Sequence, residues 1–295
     1  MIYTNSQIQG NMKKVEKQAI AERLKEYVAS KDSQNKAAAT LQGVSAATVS
    51  QILNGKWELI SADMWRTVAA QIGYDPHKWV VVQTEGYSRM YDVLTDAQAN
   101  ALVFAVTGDA GCGKSQAIKV YGERNRNTLV LSCSEYWNRK QFLVELLRTL
   151  GVDASGCMVV DMMSDAVQQL KRREGVLLVL DEADKLSDQI LYFFITLYNQ
   201  LEDHIGIVLC ATQHLEKRIV RGVRNNRKGY REIYSRIGRK FIPMPVVNEG
   251  DITAVCVANG VTDKRTIDRI ADDCDNDLRR VKRLVHAVKQ SSNND

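Results

Sequence analysis

The run Gly108-Asp109-Ala110-Gly111-Cys112-Gly113-Lys114-Ser115 decides how this chain is read. It fits G-x-x-x-x-G-K-[ST] and follows directly on the apolar stretch from Ala101 to Thr107, so a strand feeds a glycine-rich turn that opens a helix. Glycines in such a turn let backbone N–H groups face an anion. The helix starting near Gly113 adds its own unsatisfied N–H groups and the positive end of its dipole. A nucleoside triphosphate such as ATP satisfies this arrangement, with residues 108 to 113 wrapping the phosphates, Lys114 reaching the β and γ phosphates and the Ser115 hydroxyl holding Mg²⁺.

Working outward, Val176-Leu177-Leu178-Val179-Leu180 is an apolar strand that ends in Asp181-Glu182. Ligands of open α/β sheets bind at the C-terminal ends of strands. Asp181 is placed to bind Mg²⁺ through water, and Glu182 to polarise the water that attacks the γ phosphate. Further apolar runs at Thr128 to Ser132, Ile205 to Cys210 and Lys240 to Ile242 alternate with helical patterns, which predicts an α/β fold with a parallel sheet covered on both faces. From Glu249 the strands stop, and helical patterns at about 249–259, 263–273 and 277–291 predict a helical lid followed by a polar tail at Ser291 to Asp295.

Upstream, Val15 to Gly73 reads as short amphipathic helices between polar turns. Asp75 to Asn100 carries Pro76, Gly86 and the strand-like Trp79-Val80-Val81-Val82, and reads as a connection. The expected organisation is an all-α domain over 1–75, a linker with a nucleotide-pocket strand over 76–100, the α/β core over 101–246 and the lid over 247–295.

Composition agrees. With 295 residues, 45% hydrophobic and 25% charged, the chain is sized for two or three domains, and wholesale disorder, collagen repeats and coiled-coil rods are excluded. Apolar stretches such as 101–106 and 176–180 fall far short of the ~20 residues that cross a bilayer, so no membrane segment is expected. Met1 to Ser6 lacks the basic start and apolar core of a secretory signal, and a cytoplasmic location is expected. The six cysteines form no Cys-x-x-Cys pair, which argues against a disulfide framework or a zinc site, and Cys112 reads as a small filler of the glycine-rich loop.

Gly108 to Ser115 and Val176 to Glu182 resemble the Walker A and Walker B motifs of the AAA+ ATPases. The resemblance, from about Val80 to Gln290, implies further roles. Gln213, after the strand Ile207 to Ala211, matches the polar sensor; Arg236 in Tyr234-Ser235-Arg236-Ile237-Gly238-Arg239 matches the arginine finger, with Arg239 as second choice; Arg279 matches the lid-borne sensor arginine, with Arg280 as fallback. A finger that reaches a neighbour's ATP implies a homo-oligomer. Asp181-Glu182-Ala183-Asp184, Cys210-Ala211-Thr212 and Arg236 to Arg239 also imitate DEAD-box helicase motifs. Those enzymes need a second sheet domain, and the interval from Lys114 to Arg236 holds only one. Asp184 is therefore read as a helix-start acid, with Leu186-Ser187-Asp188 opening the next helix.

Within the first region, Asn35 to Leu53 reads as helix, tight turn, helix. A small Ala39 lets the helices cross, Gly43 makes the turn, and Val44, Val49 and Ile52 form the buried stripe. Ser45 caps the second helix, whose exposed residues include Thr48 and Gln51, and Ser45, Thr48 and Gln51 are candidate DNA contacts. The stretch resembles the Cro and repressor type of helix-turn-helix; a helical hairpin for protein contact is the alternative.

Charge is uneven. From Glu216 to Lys240 there are ten basic residues against two acidic ones, a surplus of eight that exceeds the +5 of the whole chain. Arg221, Arg224, Arg227 and Lys228 read as a flexible basic loop for DNA phosphates, and Arg139 with Lys140, beside Tyr136-Trp137, as a second candidate contact. A helix-turn-helix ahead of one AAA+ domain in a chain near 300 residues resembles the transposon-encoded target-DNA-capture ATPases. That resemblance implies largely non-specific double-stranded DNA binding, a helical filament, target selection and activation of a transposase, in the cytoplasm of a bacterial host. A helicase loader or replication-initiation ATPase and an ATP-switched signalling regulator are the alternatives.

Overall fold

The computed structural model describes residues 14–31, 33–74 and 79–294, in two compact units that divide between Trp79 and Val80. Met1 to Ser6, Asp75, Pro76 and Asp295 lie outside the described residues.

The first unit is helical: α1 (Lys14–Ala29), α2 (Gln34–Ala39), α3 (Ala46–Leu53) and α4 (Ala62–Gln71). Serines start three of these helices. The Ser33, Ser45 and Ser61 hydroxyls accept from the N–H groups of Lys36, Thr48 and Met64, satisfying donors that the helices themselves leave free. Ile20, Leu24, Val49, Ile52, Trp65 and Val68 form the core. Gly43 turns at φ 72°, and Val44, Val49 and Ile52 are buried as the helix-turn-helix pattern predicts. Ala39 is a correction: it is exposed, because Ala37, Ala38 and Leu41 make the inward face and the helical turn of about 100° per residue carries Ala39 past it. Gln42 and Gln71 exchange two hydrogen bonds (2.6 and 2.8 Å), which ties the turn to α4.

In the second unit, chain order runs α5 (Glu85–Asn100), β1 (Val103–Thr107), α6 (Lys114–Arg124), β2 (Thr128–Ser132), α7 (Arg139–Leu150), α8 (Val159–Lys171), β3 (Val176–Asp181), α9 (Asp188–Leu201), β4 (Ile205–Ala211), α10 (Gln213–Arg224), α11 (Tyr230–Arg236) and β5 (Phe241–Pro243). The lid helices α12 (Glu249–Ala258), α13 (Lys264–Asp273) and α14 (Leu278–Asn294) follow. The strands form one parallel sheet in the order β2-β3-β4-β1-β5. Leu178, Leu180, Ile207 and Leu209 join a core with Phe142 and Leu146 of α7 and Phe194 of α9. The residues between them point the other way, where α5 and α6 cover the sheet. A Cβ at Gly206 would stand 2.1 Å from the Ala97 carbonyl oxygen, so α5 crosses β4 only because that strand position has no side chain.

Three expectations change here. Val80 to Val82 form no strand: both backbone groups of Val80 pair with the Asn259 side chain (2.9 and 3.1 Å), so β propensity finds a lid amide where it would need a partner strand. Residues 85–100 are a helix of the α/β unit, its face of Tyr87, Met90, Leu94 and Ala97 buried, and not a connection. The expected polar tail continues α14 to Asn294.

Candidate active site and its basic surface

Parallel strands place their C-terminal ends on one edge, and the chemistry collects there. Gly108 follows β1, donating to the Ala211 carbonyl at the end of β4 (3.2 Å). Gly111 and Gly113 take φ of 82° and 96°, a region closed to most side chains, and Gly113 stands at the N-cap of α6. The Lys114 ammonium spans the loop, donating to the carbonyls of Gly108 (2.8 Å) and Asp109 (2.9 Å). Asp181, buried at the end of β3, accepts from the Ser115 hydroxyl and from the Glu182 N–H (3.0 Å). Burial pushes its carboxyl above the usual carboxylate range against these bonds. A hydroxyl beside a desolvated carboxylate is an oxygen donor pair of the kind Mg²⁺ takes together with substrate phosphates, so Ser115 and Asp181 fit the ion.

Glu182 adopts φ 57° and its carboxylate accepts from the Lys185 ammonium (2.7 Å). Asp184 stands in the first turn of the 3₁₀ helix Ala183–Lys185, a helix-start acid as expected, where it also accepts from the Thr212 hydroxyl (2.5 Å), and Ser187 with Asp188 opens α9. Thr212 therefore links the ends of β3 and β4, a role the sequence reading missed because the pairing spans 28 residues. Gln213, first residue of α10, reaches Asp109 of the glycine-rich loop (3.4 Å). Arg218 and the Tyr230 hydroxyl converge on Asp188. Burial raises the Asp188 carboxyl, but the bonds from Tyr230 and Arg218, with the charge of Arg227, outweigh it and hold it below the usual range.

The lid closes over the same loop. Leu278 N–H donates to the Gly111 carbonyl (3.1 Å), and a Cβ at Gly111 would stand 2.0 Å from Asp277 Oδ1. That Asp277 oxygen also accepts from the Arg279 N–H at the start of α14 (2.7 Å). A cleft of about 640 Å³ lies between the loop (Gly108 to Ala110, Cys112), the chain after β5 (Met244 to Val247) and Asp275 to Asp277, room for a nucleotide. Arg279 and Arg280 are exposed on the first turn of α14.

Arg236 ends α11, donating to Asn199 Oδ1 (3.0 and 3.2 Å) over the Tyr198 ring; Arg239, at φ 56°, is exposed. Arg221 and Arg224 are exposed on the last turns of α10 and Lys228 lies just beyond. The expected flexible basic loop is thus a helix end and a tight turn, closed by Arg227 N–H to the Gly222 carbonyl (2.8 Å). Arg227 pairs with Asp188 (3.1 Å) and lies over the Tyr230 ring. Arg139 and Lys140 are exposed at the start of α7; Trp137 beside them is buried against Phe142, and Tyr136 is 81% exposed. In the first unit the Ser45 and Thr48 hydroxyls bond to each other (2.9 Å) and Gln51 is half-buried. Among the described residues no helix is long and apolar enough to cross a membrane.

Residues 97–219 match the AAA domain family, in keeping with an ATPase built on a parallel sheet that carries this loop, the Asp181-Glu182 pair and a helical lid. Similar proteins extend over most of the chain. The chain is 23% identical over 261 residues to the ATP-dependent target DNA activator B of Escherichia phage Mu, covering 84% of this chain and 81% of the relative. It is 25% identical over 234 residues to the Mu-like prophage FluMu DNA transposition protein B of Haemophilus influenzae, covering 76% and 80%. The activator B of Escherichia phage D108 matches at 23% over 261 residues, covering 84% and 81%.

Proposed function

We propose that this protein is a target-DNA-capture ATPase of a mobile element: it binds duplex DNA largely without sequence preference when loaded with ATP, assembles on it as a helical homo-oligomer, and delivers the target to a transposase that it activates. The observation that carries the reading is α10, whose N-cap Thr212 and first residue Gln213 bond to Asp184 and to Asp109 of the glycine-rich loop while its exposed face bears Lys217, Arg221 and Arg224. Exposed cations on one helix face suit the phosphates of a duplex, which carry affinity but no sequence.

In this reading residues 108 to 113 and Lys114 bind the triphosphate, and Ser115 with Asp181 hold Mg²⁺, which neutralises phosphate charge when bound. Glu182 polarises the attacking water once its carboxylate leaves Lys185, and Gln213 orients the γ phosphate region. Arg236, with Arg239 beside it, reaches the neighbouring subunit's nucleotide, and Arg279 of the lid reaches its own. Arg221, Arg224, Lys228, Arg139 and Lys140 contact DNA phosphates, Arg227 does so on leaving Asp188, and Thr48 and Gln51 of α3 supply a second contact region, with Ser45 mainly a cap. The printed names of the phage relatives, with their ATP dependence and target DNA, support the transposition context.

Electron microscopy of the protein with duplex DNA and a non-hydrolysable ATP analogue tests this. Nucleotide-dependent helical filaments are expected, absent for Lys114→Ala and persistent with ATP itself for Glu182→Gln. Discrete particles indifferent to DNA would refute it.

A further inference from the structure

Helix α10 has two faces. His214, Lys217, Arg221 and Arg224 recur at helical spacing on the exposed side, while Leu215, Ile219 and Gly222 are buried, Gly222 so closely that a Cβ would meet the Tyr230 ring at 2.3 Å. Arg218 stands between the faces. Its guanidinium donates to the Leu186 carbonyl (2.7 Å), the Asp184 carbonyl (3.4 Å), the Tyr230 hydroxyl (3.2 Å) and, through two nitrogens, Asp188 Oδ1 (2.5 and 3.1 Å). All but the hydroxyl lie between residues 184 and 188, just past the general-base candidate Glu182. One residue before α10, the Thr212 hydroxyl adds a second tie to the same segment at Asp184. A planar fork bound to several acceptors fixes orientation as well as distance, so α10 and the segment 184–188 move together. That segment shares Asp184 and Lys185 with the turn 183–185, whose Lys185 holds the Glu182 carboxylate. Asp188 is shared: its other oxygen takes Arg227 (3.1 Å), which is 57% exposed beside the basic face.

We infer that Arg218 is a positioning residue that transmits duplex occupancy of the α10 basic face to Glu182, so that bound DNA raises the rate of ATP hydrolysis. Phosphates drawn to Arg221 and Arg224 load the helix, and a phosphate that takes Arg227 from Asp188 alters the partner Arg218 holds. The shift reaches the turn 183–185 and frees Glu182 from Lys185. This rests on the reading of α10 as a DNA surface.

The test measures ATP hydrolysis by the full chain across a duplex titration, and duplex affinity by fluorescence anisotropy with a non-hydrolysable analogue, for wild type, Arg218→Lys, Thr212→Val and Tyr230→Phe. Lysine keeps the charge but not the fork; valine removes the second tie; phenylalanine removes the hydroxyl that bonds to both Arg218 Nε and Asp188 (3.2 and 2.7 Å) and leaves the guanidinium on Asp188 and on the carbonyls of 184 and 186, the ties to the segment. Arg218→Lys and Thr212→Val are expected to bind duplex and show a KM for ATP within about twofold of wild type, with the DNA-dependent rise in kcat reduced about fivefold or more. Tyr230→Phe is expected to keep that rise. Undiminished stimulation in Arg218→Lys and Thr212→Val, loss of duplex affinity in parallel with it, or equal loss in Tyr230→Phe overturns the inference. Wild type that binds duplex but hydrolyses ATP at the same rate overturns it while leaving the DNA surface standing, whereas wild type that binds no duplex removes the DNA surface itself.

Discussion

Gly111→Ala tests the contact between lid and phosphate-binding loop directly. The new Cβ enters at φ 82°, where a residue other than glycine pays about 1–2 kcal/mol. It also meets Asp277 Oδ1 at 2.0 Å and Cγ at 2.3 Å, so the start of α14 must withdraw. Withdrawal breaks the bond from Leu278 N–H to the Gly111 carbonyl, a net loss of about 1 kcal/mol. The total, about 2–3 kcal/mol, corresponds to a fall of roughly 5–10 °C in the Tm of a unit this size. Differential scanning fluorimetry of the nucleotide-free protein measures it, and added Mg-ATP is expected to raise the Tm of wild type but not of the variant. Asp277→Ala removes the obstacle at the cost of an N-cap, about 1 kcal/mol, so the double variant should be about 1 kcal/mol more stable than the two single losses predict. Additive losses, or a Gly111→Ala variant that melts with wild type, would refute the closed contact.

Asp181→Asn is expected to raise the Tm of the nucleotide-free protein near neutral pH while weakening Mg²⁺ binding and abolishing hydrolysis. The sign follows from burial: the folded carboxyl sits above its unfolded value, so its contribution is fully present below the unfolded pKa and is lost as pH rises through the folded one. A lower Tm for the variant at pH 7.5 contradicts this. Native thiol titration should modify Cys157 first, because the other five cysteines are buried. Burial, with Asp181 and Glu182 nearby, pushes the Cys133 thiol up to about 12, and fast labelling of Cys133 located by mass spectrometry would contradict its placement.

Much of the site was legible because it is local. The eight residues from Gly108 to Ser115 carry a positive-φ backbone, a lysine and a hydroxyl within one turn, the set a phosphate-binding loop needs, so residue types and spacing carry the message without the rest of the fold. The same holds for β3 and its terminal carboxylates, and for the capped helices of the first unit, where Ser45 and Gly43 act on their immediate neighbours. Residues 79–82 misled for the converse reason: β-branched side chains favour extended backbone, but a strand also needs a partner, and here Asn259 takes the backbone groups.

The sequence by itself therefore determined the class of fold, the glycine-rich loop between strand and helix, the carboxylate pair at the end of a strand and the surplus of positive charge between 216 and 240. Only the tertiary structure decided that Lys217, Arg218, Arg221 and Arg224 share a helix whose first residue bonds to the glycine-rich loop, that Arg227 is paired with Asp188, that Asp277 lies against Gly111 and that Glu182 is held by Lys185. Spacing along the chain encodes what neighbouring residues do to one another. Pairings such as Thr212 with Asp184 or Asp277 with Gly111 exist only after the strands have brought distant ends to one edge, and no local pattern in the chain records them.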